Sequence, residues 1–407
     1  MKRNFFNKQT NNFGLWTLFL MSFTILSCSE LPIGQIPTDN IPPSPVTNVK
    51  IEPTYGGAHV TYTLPHEEDI SYVKCEFVYN GKLRMVRSSI YKNYLDVDGI
   101  GDLEEIELKI SVVDHSENSS TVHVEKFMPL DSPMKAVLNS FRIEPAFGGV
   151  KVSWENPVKM MVGISFLAAN DYGEMELKDM IFSSLSTGSK SLRGFDTNRR
   201  IFALSITDKY GNVSDTFKLE VEPLYEAILD KKKFTDAHLQ GDNFSVSNGR
   251  PIQNIWDDNL NVIWHTLADA GYSIPQYFSV DLGMTAQLTR VVVYNRSDYY
   301  YAQHNLRRFD IWGTDVLANA NIEDPYYNND SWKADWKLLA ECEIIKPSGS
   351  PSGTNTPEDL AAHNAGFEFE LTQNVAKMRY IRFVVHETWA RTPALHISEI
   401  SVFGDDR

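Results

Sequence analysis

The chain has 407 residues, of which 42% are hydrophobic and 22% charged, so it has enough apolar material for packed cores and enough length for two to four domains of roughly 100–200 residues each. The formal net charge of -15 at pH 7 excludes nucleic acid as a partner, because such binding depends on Lys and Arg side chains that neutralise phosphates. Three cysteines, Cys28, Cys75 and Cys342, are too few for a disulfide scaffold and too widely spaced for a zinc site.

The N-terminus has the composition of an export signal. Lys2, Arg3 and Lys8 precede an apolar run over residues 14–26, which is shorter than the roughly 20 apolar residues of a membrane span. The run ends in Ile25-Leu26-Ser27-Cys28, which resembles the bacterial lipobox, whose cysteine is acylated and becomes the new N-terminus. The alternative is an ordinary signal peptide that contains a cysteine.

The lipobox resemblance predicts a lipoprotein. Residues 1–27 are then the signal peptide and Cys28 is the lipidation site, which attaches the protein to a membrane through its acyl chains. The proline-rich stretch that follows, residues 28–45, is expected to be an extended tether. It would hold the first folded module away from the lipid surface.

An internal repeat follows the tether. The stretch Ile51–Gly57 recurs as Ile143–Gly149, and Pro129-Leu130 recurs as Pro223-Leu224. Similarity at a nearly fixed spacing indicates two copies of one structural unit.

Both copies have the pattern of short antiparallel strands. Apolar and polar side chains alternate in Ala58–Leu64 of the first copy and in Val150–Trp154 of the second. Asn80-Gly81 between two apolar stretches predicts a type I′ hairpin, because both central residues of that turn need positive φ. The sequence therefore predicts β-sandwich modules over residues 46–130 and 136–225.

The two modules resemble fibronectin type III and immunoglobulin-like domains, and they are similar to paired modules at the front of Bacteroidota lipoproteins. The resemblance implies a fold and no activity. Cys75 lies in a predicted strand and is interpreted as a small core residue. The basic run Lys231-Lys232-Lys233 after the second copy is interpreted as a solvated linker. We expect both modules to be spacers.

Residues 234–407 differ in composition from the two modules, because they hold six of the eight tryptophans. No long amphipathic helix pattern interrupts the apolar runs, which indicates an all-β domain. Strands are predicted at Gln276–Leu282, Leu288–Tyr294, Arg307–Trp312, Phe367–Leu371, Tyr380–Val385 and Ile397–Phe403.

Four motifs of this domain stand in a characteristic order: Trp256–His265, Pro275–Gly283, Arg379–Val385 and Ile397–Gly404. Together they resemble the discoidin family, also called coagulation factor 5/8 type C, a galactose-binding-like jelly-roll β-sandwich that includes many carbohydrate-binding modules. The predicted fold class is therefore all-β, with two tandem immunoglobulin/fibronectin-like β-sandwiches followed by a discoidin-like jelly-roll β-sandwich over residues 234–407.

The discoidin resemblance also implies a structural calcium ion, held by the loop of the first motif and a Glu of the last strand. Asp257, Asn259, Asn261 and Glu399 offer the oxygen ligands that calcium prefers. Val262 departs from the family pattern, which commonly has a Thr there. The alternative to a calcium site is a loop capped by Asx turns.

Members of the family that bind sugars do so with loops at one end of the sandwich. In this chain the loops are Asn295–Asn305 and His386–Arg391, which combine aromatic rings for stacking on a sugar's C–H face with planar polar groups for its hydroxyls. Because successive side chains of an extended chain alternate sides, at least one of three consecutive tyrosines is expected to pack inward. The candidate sugar-binding residues are Arg296, Tyr299, Tyr300, Tyr301, Gln303, His304, Trp389 and Arg391.

The resemblances together imply a non-catalytic, membrane-anchored glycan-binding lipoprotein of a Bacteroidota polysaccharide or host-glycan utilisation system. We expect it at the outer membrane, with the cell surface favoured and the periplasmic face left open. The alternative is a structural or protein-binding surface lipoprotein that docks to an outer-membrane transporter or a host glycoprotein. An enzyme is disfavoured, because the three modules leave no room for a catalytic domain and the sequence has no Gly-x-Ser-x-Gly, His-Glu-x-x-His or phosphate-binding loop.

Overall fold

The structure is a computed structural model that describes residues 39–269, 271–318, 325–372 and 375–407. The predicted signal peptide and Cys28 lie outside these residues. The chain divides into two compact units, Met1–Pro133 and Met134–Arg407. Among the described residues, no helix is both long enough and apolar enough to cross a membrane.

The described part of the first unit contains seven antiparallel strands in two sheets, ordered β1-β2-β5 and β4-β3-β6-β7. Asn80 and Gly81 join β3 to β4 with positive φ at both residues, as the predicted hairpin requires. The inward side chains of both sheets form one core, in which Cys75 is buried. The strands are β1 (Thr47–Thr54), β2 (Gly57–Thr63), β3 (Ile70–Tyr79), β4 (Lys82–Ser89), β5 (Tyr94–Val97), β6 (Ile106–Asp114) and β7 (His123–Phe127).

The second sandwich repeats this arrangement strand for strand. Its sheets are ordered β8-β9-β12 and β11-β10-β13-β14, and a short helix that carries the buried side chains of Met134 and Val137 precedes them. The equivalent order in both copies is the structural counterpart of the sequence repeat. The elements are α1 (Pro133–Ser140), β8 (Arg142–Ala146), β9 (Gly149–Glu155), β10 (Val162–Ala169), β11 (Met175–Ser183), β12 (Thr187–Arg193), β13 (Arg200–Asp208) and β14 (Phe217–Val221).

The C-terminal domain is built on a sheet ordered β15-β24-β18-β22-β19-β20, with β16 and β21 also paired to β18, and on a separate β17-β23 pair. The all-β prediction of the fold class is confirmed. The strands are β15 (Ala227–Ile228), β16 (Thr235–Asp236), β17 (Trp264–His265), β18 (Gln276–Tyr294), β19 (Leu306–Thr314), β20 (Lys337–Glu343), β21 (Phe367–Glu370), β22 (Met378–Thr388), β23 (His396–Ile397) and β24 (Glu399–Asp405).

Two strands predicted separately, Gln276–Leu282 and Leu288–Tyr294, are the two halves of β18. The first half pairs with β22 and the second with β24 and β21, and the register shifts between them. Gly283 lies at this shift with φ +66, and a Cβ there would come within 2.4 Å of the carbonyl oxygen of Lys233. A glycine therefore lets one strand pass through both parts of the sheet.

The stretch after β20 contains a helix that the all-β prediction did not include, α2 (Pro357–Ala365). Thr356 Oγ1 accepts from the Asp359 backbone N–H at 3.2 Å, and Asp359 Oδ2 accepts from the Thr356 N–H at 2.9 Å. This capping box, with Pro357 at the first helical position, is a recognisable start signal in the sequence.

The second sandwich and the C-terminal domain are joined by a cluster of ion pairs. Arg290 contacts Glu226 Oε2 at 2.9 Å and Glu368 Oε2 at 2.8 Å. Arg193, the last residue of β12, reaches across to Glu368 and Glu370 of β21. Arg193, Arg290 and Glu226 are largely buried, whereas Glu368 and Glu370 are partly exposed. The cluster links the two domains within one unit.

Candidate functional site

The loop between β18 and β19 is held by two buried asparagines at its ends. Asn295 exchanges two hydrogen bonds with the backbone of Leu306. Asn305 accepts from the N–H of Arg296 at 3.1 Å and donates to the carbonyls of Arg296 at 3.0 Å and Tyr299 at 2.7 Å. Side chains that replace backbone hydrogen bonds in this way fix the course of a loop. The loop therefore presents its outer side chains from a rigid base.

A polar cavity of about 290 Å³ opens beside this loop, between it and the segment before β17. Arg250, Asn254 and Asn261 line one side, and Arg296 and Asp298 line the other. The volume lies just below the roughly 300–1,000 Å³ that is typical of ligand pockets. Two guanidinium groups, two amides and one carboxylate supply several donors and acceptors for a small polyhydroxylated ligand.

An aromatic surface adjoins the cavity. The Arg296 guanidinium lies 4.6 Å from the centre of the Tyr299 ring and donates to Asp298 Oδ2 at 2.7 Å. The Tyr299 ring, which is partly exposed, lies 6.2 Å from the ring of His396 and nearly parallel to it. His304 is packed edge-to-face against the same histidine at 4.8 Å. Arg296 belongs to both the cavity and this group of rings, and we call the two together the loop-end site.

The ionisable groups of the loop-end site have defined protonation states at neutral pH. The hydrogen bond from Arg296 lowers the pKa of the Asp298 carboxyl, which is therefore ionised. Burial lowers the pKa of His304, and the charge of Arg296 adds to this. Burial also lowers the pKa of His265, and it lowers that of His396 to about 3. The three imidazoles are neutral, and each keeps one nitrogen lone pair.

Of the predicted sugar-binding residues, Arg296, Tyr299 and His304 come together in this site, while Tyr301 does not. Tyr301 is fully buried, donates its hydroxyl hydrogen to the carbonyl of Asp359 at 3.0 Å and packs edge-to-face on Trp389. Its prediction as a sugar contact is therefore corrected to a core residue. The expected inward packing of one tyrosine falls on this position.

The remaining candidates, Tyr300, Gln303, Trp389 and Arg391, do not line the polar cavity. Tyr300 packs against His363, and Trp389 lies half-buried under the guanidinium of Arg307. Gln303 and Arg391 are exposed, and both adopt positive φ. Their roles in sugar binding stay predictions.

Five residues of the site were missed in the sequence: Arg250, Asn254, His265, Asp298 and His396. His265 and His396 lie far apart in the sequence, and they come together through pairing of the backbone. His265 is the partner of His396 in the β17-β23 pair, and a bridge joins Asn305 to His396. Only the strand pairing reveals this convergence.

The predicted calcium ligands do not fit a calcium ion in this structure. The Lys231 ammonium lies 2.8 Å from Glu399 Oε1 and 2.8 Å from Asp258 Oδ1, so a cation bound to Glu399 would face a second positive charge. The same contacts correct the interpretation of Lys231 as solvated, because its side chain is buried.

The loop of the first motif instead forms Asx turns, which were the alternative prediction to a calcium site. Asp257 Oδ1 accepts from the Asn259 N–H, and Asn259 Oδ1 accepts from the Asn261 N–H. These are Asx turns. Asp257, Asn259 and Asn261 thus cap the loop with their own side chains, and Glu399 pairs with Lys231.

Models of three families match successive parts of the chain, and each is described as a domain of unknown function. DUF4959 matches residues 43–129, DUF5126 matches residues 130–232, and DUF5000 matches residues 256–404. No curated protein matches the chain.

Among solved structures, the chain is similar to a SusE-like protein, with 26% identity over 67% of this chain and 98% of that chain and a TM-score of 0.42. It is also similar to the carbohydrate-binding module CBM32-3 of a family 31 glycoside hydrolase from Clostridium perfringens, with 14% identity over 44% of this chain and 95% of that chain and a TM-score of 0.32. A family 32 module from C. perfringens, solved in complex with galactose, is 15% identical over 44% of this chain and 98% of that chain, with a TM-score of 0.30. Likenesses of this size assign no ligand to this chain.

Proposed function

We propose that the protein is a non-catalytic glycan-binding lipoprotein that binds sugar through the loop-end site of its C-terminal domain. The observation that carries the proposal is the polar cavity of about 290 Å³ with Arg250 and Arg296 on its two sides, next to the exposed ring of Tyr299. Sugars present both an apolar C–H face and a rim of hydroxyls. The site offers a matching surface for each.

The cavity is suited to hydroxyl groups because its polar atoms are held in place. Asn305 fixes the backbone that carries Arg296 and Tyr299, and Asp298 holds the Arg296 guanidinium. A site organised before binding loses less conformational entropy when a ligand enters it. This smaller entropy loss matters for a flexible, strongly hydrated glycan. Each of its hydroxyls must exchange hydrogen bonds with water for hydrogen bonds with a well-placed protein group.

The membrane anchor and the location are part of the same proposal. They rest on the lipobox-like sequence ending at Cys28. Acylation there would attach the chain to the outer membrane of a bacterium, with the first two sandwiches as spacers. In this arrangement the C-terminal domain captures glycans and passes them to neighbouring proteins of a utilisation system.

The test is a screen of the purified chain on an array of plant, microbial and host glycans, followed by affinity gel electrophoresis with each glycan that binds. We expect Arg250→Ala, Arg296→Ala and Tyr299→Ala each to weaken binding at least tenfold. Arg199→Ala and Tyr172→Ala are matched controls, because both residues are exposed on the second sandwich.

The possible outcomes distinguish a wrong binding site from a wrong function. Glycan binding that survives all three loop-end substitutions would place the sugar elsewhere and refute the site. No binding to any glycan by a chain with a cooperative unfolding transition would refute the function and favour the protein-binding alternative.

A further inference from the structure

The loop-end site contains three histidines from three separate chain segments that lie side by side. His265 on β17 is opposite His396 on β23, and the N–H of His396 donates to the carbonyl of His304 at 2.9 Å. The ring centres of His265 and His396 are 4.3 Å apart, those of His304 and His396 4.8 Å, and those of His265 and His304 6.1 Å. Backbone pairing on both sides of His396 therefore sets the spacing of the rings.

The nitrogens of these rings converge. One ligand atom from each histidine lies within 4.8 Å of the other two, and this is the one such group of three metal-ligating residues among the described residues. Nitrogen atoms on a tetrahedral zinc ion are about 3.3 Å apart, since each Zn–N bond is about 2.0–2.1 Å long. Small rotations of the three side chains would bring the nitrogens to that spacing.

The hydrogen bonding of the cluster points to a ligand. His396 is 3% exposed, and within the described part of the chain neither of its ring nitrogens has a hydrogen-bond partner; Nδ1 of His265 is likewise unpartnered. A buried polar atom that is left without a hydrogen-bond partner is destabilising. Coordination of an ion would satisfy one ring nitrogen of each of these two histidines.

The third histidine, His304, already has a hydrogen-bond partner outside the cluster. His304 Nδ1 is hydrogen-bonded to Thr392 Oγ1, which leaves Nε2 as its free nitrogen. Histidines that bind metals usually hold the other ring nitrogen in a hydrogen bond, which orients the ring. The bond to Thr392 orients the His304 ring and leaves Nε2 as the nitrogen for coordination.

We infer that His265, His304 and His396 form a binding site for a divalent transition-metal ion of the zinc class, with a fourth coordination position open to an outside ligand. Three neutral imidazoles suit zinc, copper or nickel and do not suit calcium or magnesium, which prefer oxygen. The positive charge of Arg296 near the cluster is balanced by Asp298. Arg250, which also lines the cavity, opposes the ion and limits its affinity.

The experiment is a zinc titration of the full chain without any histidine tag, after dialysis against a chelator, with a chromophoric chelator as competitor. We expect one zinc ion per chain, and affinity at least tenfold lower in His265→Ala and in His304→Ala. His238→Ala is the control, because His238 is an exposed histidine of the same domain, outside the cluster. Calcium and magnesium at equal concentration are expected not to compete.

Cobalt supplies a second measurement that does not depend on the stability of a variant. Cobalt added to the wild-type chain should produce the visible absorption of a tetrahedral nitrogen site, and zinc should displace it. Absence of saturable zinc binding, or binding unchanged in His304→Ala, would overturn the inference. Glycan binding is measured separately with and without chelator, so loss of the metal site leaves the proposed glycan function standing.

Discussion

Lys231 Nζ lies 2.8 Å from Glu399 Oε1, and both side chains are buried in the C-terminal domain. Burial by itself lowers the pKa of the lysine, but its hydrogen bonds to Asp258 and Glu399 outweigh burial and raise the pKa above its usual value. The ammonium is therefore charged when folded. It neutralises Glu399, the carboxylate that the family resemblance assigned to calcium.

Replacement of Lys231 by Met is expected to destabilise the C-terminal domain by about 3–5 kcal/mol, because Glu399 would be left buried without a counter-charge. Urea unfolding followed by tryptophan fluorescence measures this. Lys232→Met is the control, since Lys232 is the exposed neighbour in the same basic run, and a change of less than about 0.5 kcal/mol is expected. Equal changes in the unfolding free energy of the two variants would contradict a stabilising role for the Lys231–Glu399 pair.

The same pair predicts how the protein responds to calcium. Added calcium is expected to leave the unfolding midpoint of the wild-type chain unchanged, because Lys231 already holds Glu399. A calcium-dependent rise in the wild-type midpoint would show that an ion displaces the lysine.

Addition of Glu399→Gln to Lys231→Met should recover part of the stability that Lys231→Met alone removes, since the unpaired charge is then absent.

Asn305→Ala is expected to weaken glycan binding as well as stability. The side chain makes three hydrogen bonds to the backbone of the loop that carries Arg296 and Tyr299, and loss of a buried partner costs about 1–3 kcal/mol. We expect this cost in the unfolding free energy, together with a drop of at least fivefold in affinity for any glycan found on the array. Asn364→Ala, on the exposed face of α2, is the control; a binding loss in both variants would mean that the loop has no special role.

The limits of prediction from this sequence can be seen at particular residues. One of three tyrosines packs inward as expected, but the premise of an extended strand was wrong, because residues 299–301 form a turn in which Tyr301 has positive φ. The sequence Tyr-Tyr-Tyr carries no clear signal for such a turn. Lys231 and Lys232 have the same local composition, yet only the first is buried, because its partner Glu399 comes from the far end of the chain. The repeat and the strands were predictable since they depend on local pattern.

The fall in stability at acid pH is expected to depend on Asp359. Burial would raise the pKa of this carboxyl, but hydrogen bonds from Thr356 and Ser348 and the charge of Lys346 outweigh burial and lower it to about 2. A pKa below the unfolded value of 3.8 means that the stabilisation is complete above about pH 4.5, where the unfolded carboxyl is also ionised, and is lost as the pH falls towards 2.

Asp359→Asn tests this dependence. The difference in unfolding free energy between wild type and variant should be constant from pH 7 to about pH 4.5 and should shrink as the pH falls towards 2, because protonation removes the same charge in the wild type. Glu358→Gln, one residue earlier on the exposed side of α2, should give no such convergence. A difference that stays constant down to pH 2 would contradict the lowered pKa.

Arg193→Met is expected to uncouple the second sandwich from the C-terminal domain. Arg193 pairs with Glu368 at 3.0 Å and also reaches Glu370 and Glu226. Its loss leaves the mostly buried Glu226 with Arg290 as its remaining charged partner. We expect the second sandwich and the C-terminal domain of the wild-type chain to unfold in one transition in differential scanning calorimetry. In Arg193→Met this transition should separate into two, and the lower unfolding temperature should fall by several degrees, since about 1–3 kcal/mol of coupling between the two domains is removed. Arg199→Met removes an exposed pair with Glu222 on the same sandwich and should leave the profile unchanged. A single unaltered transition in Arg193→Met would mean that apolar contacts, and not this ion-pair cluster, join the two domains.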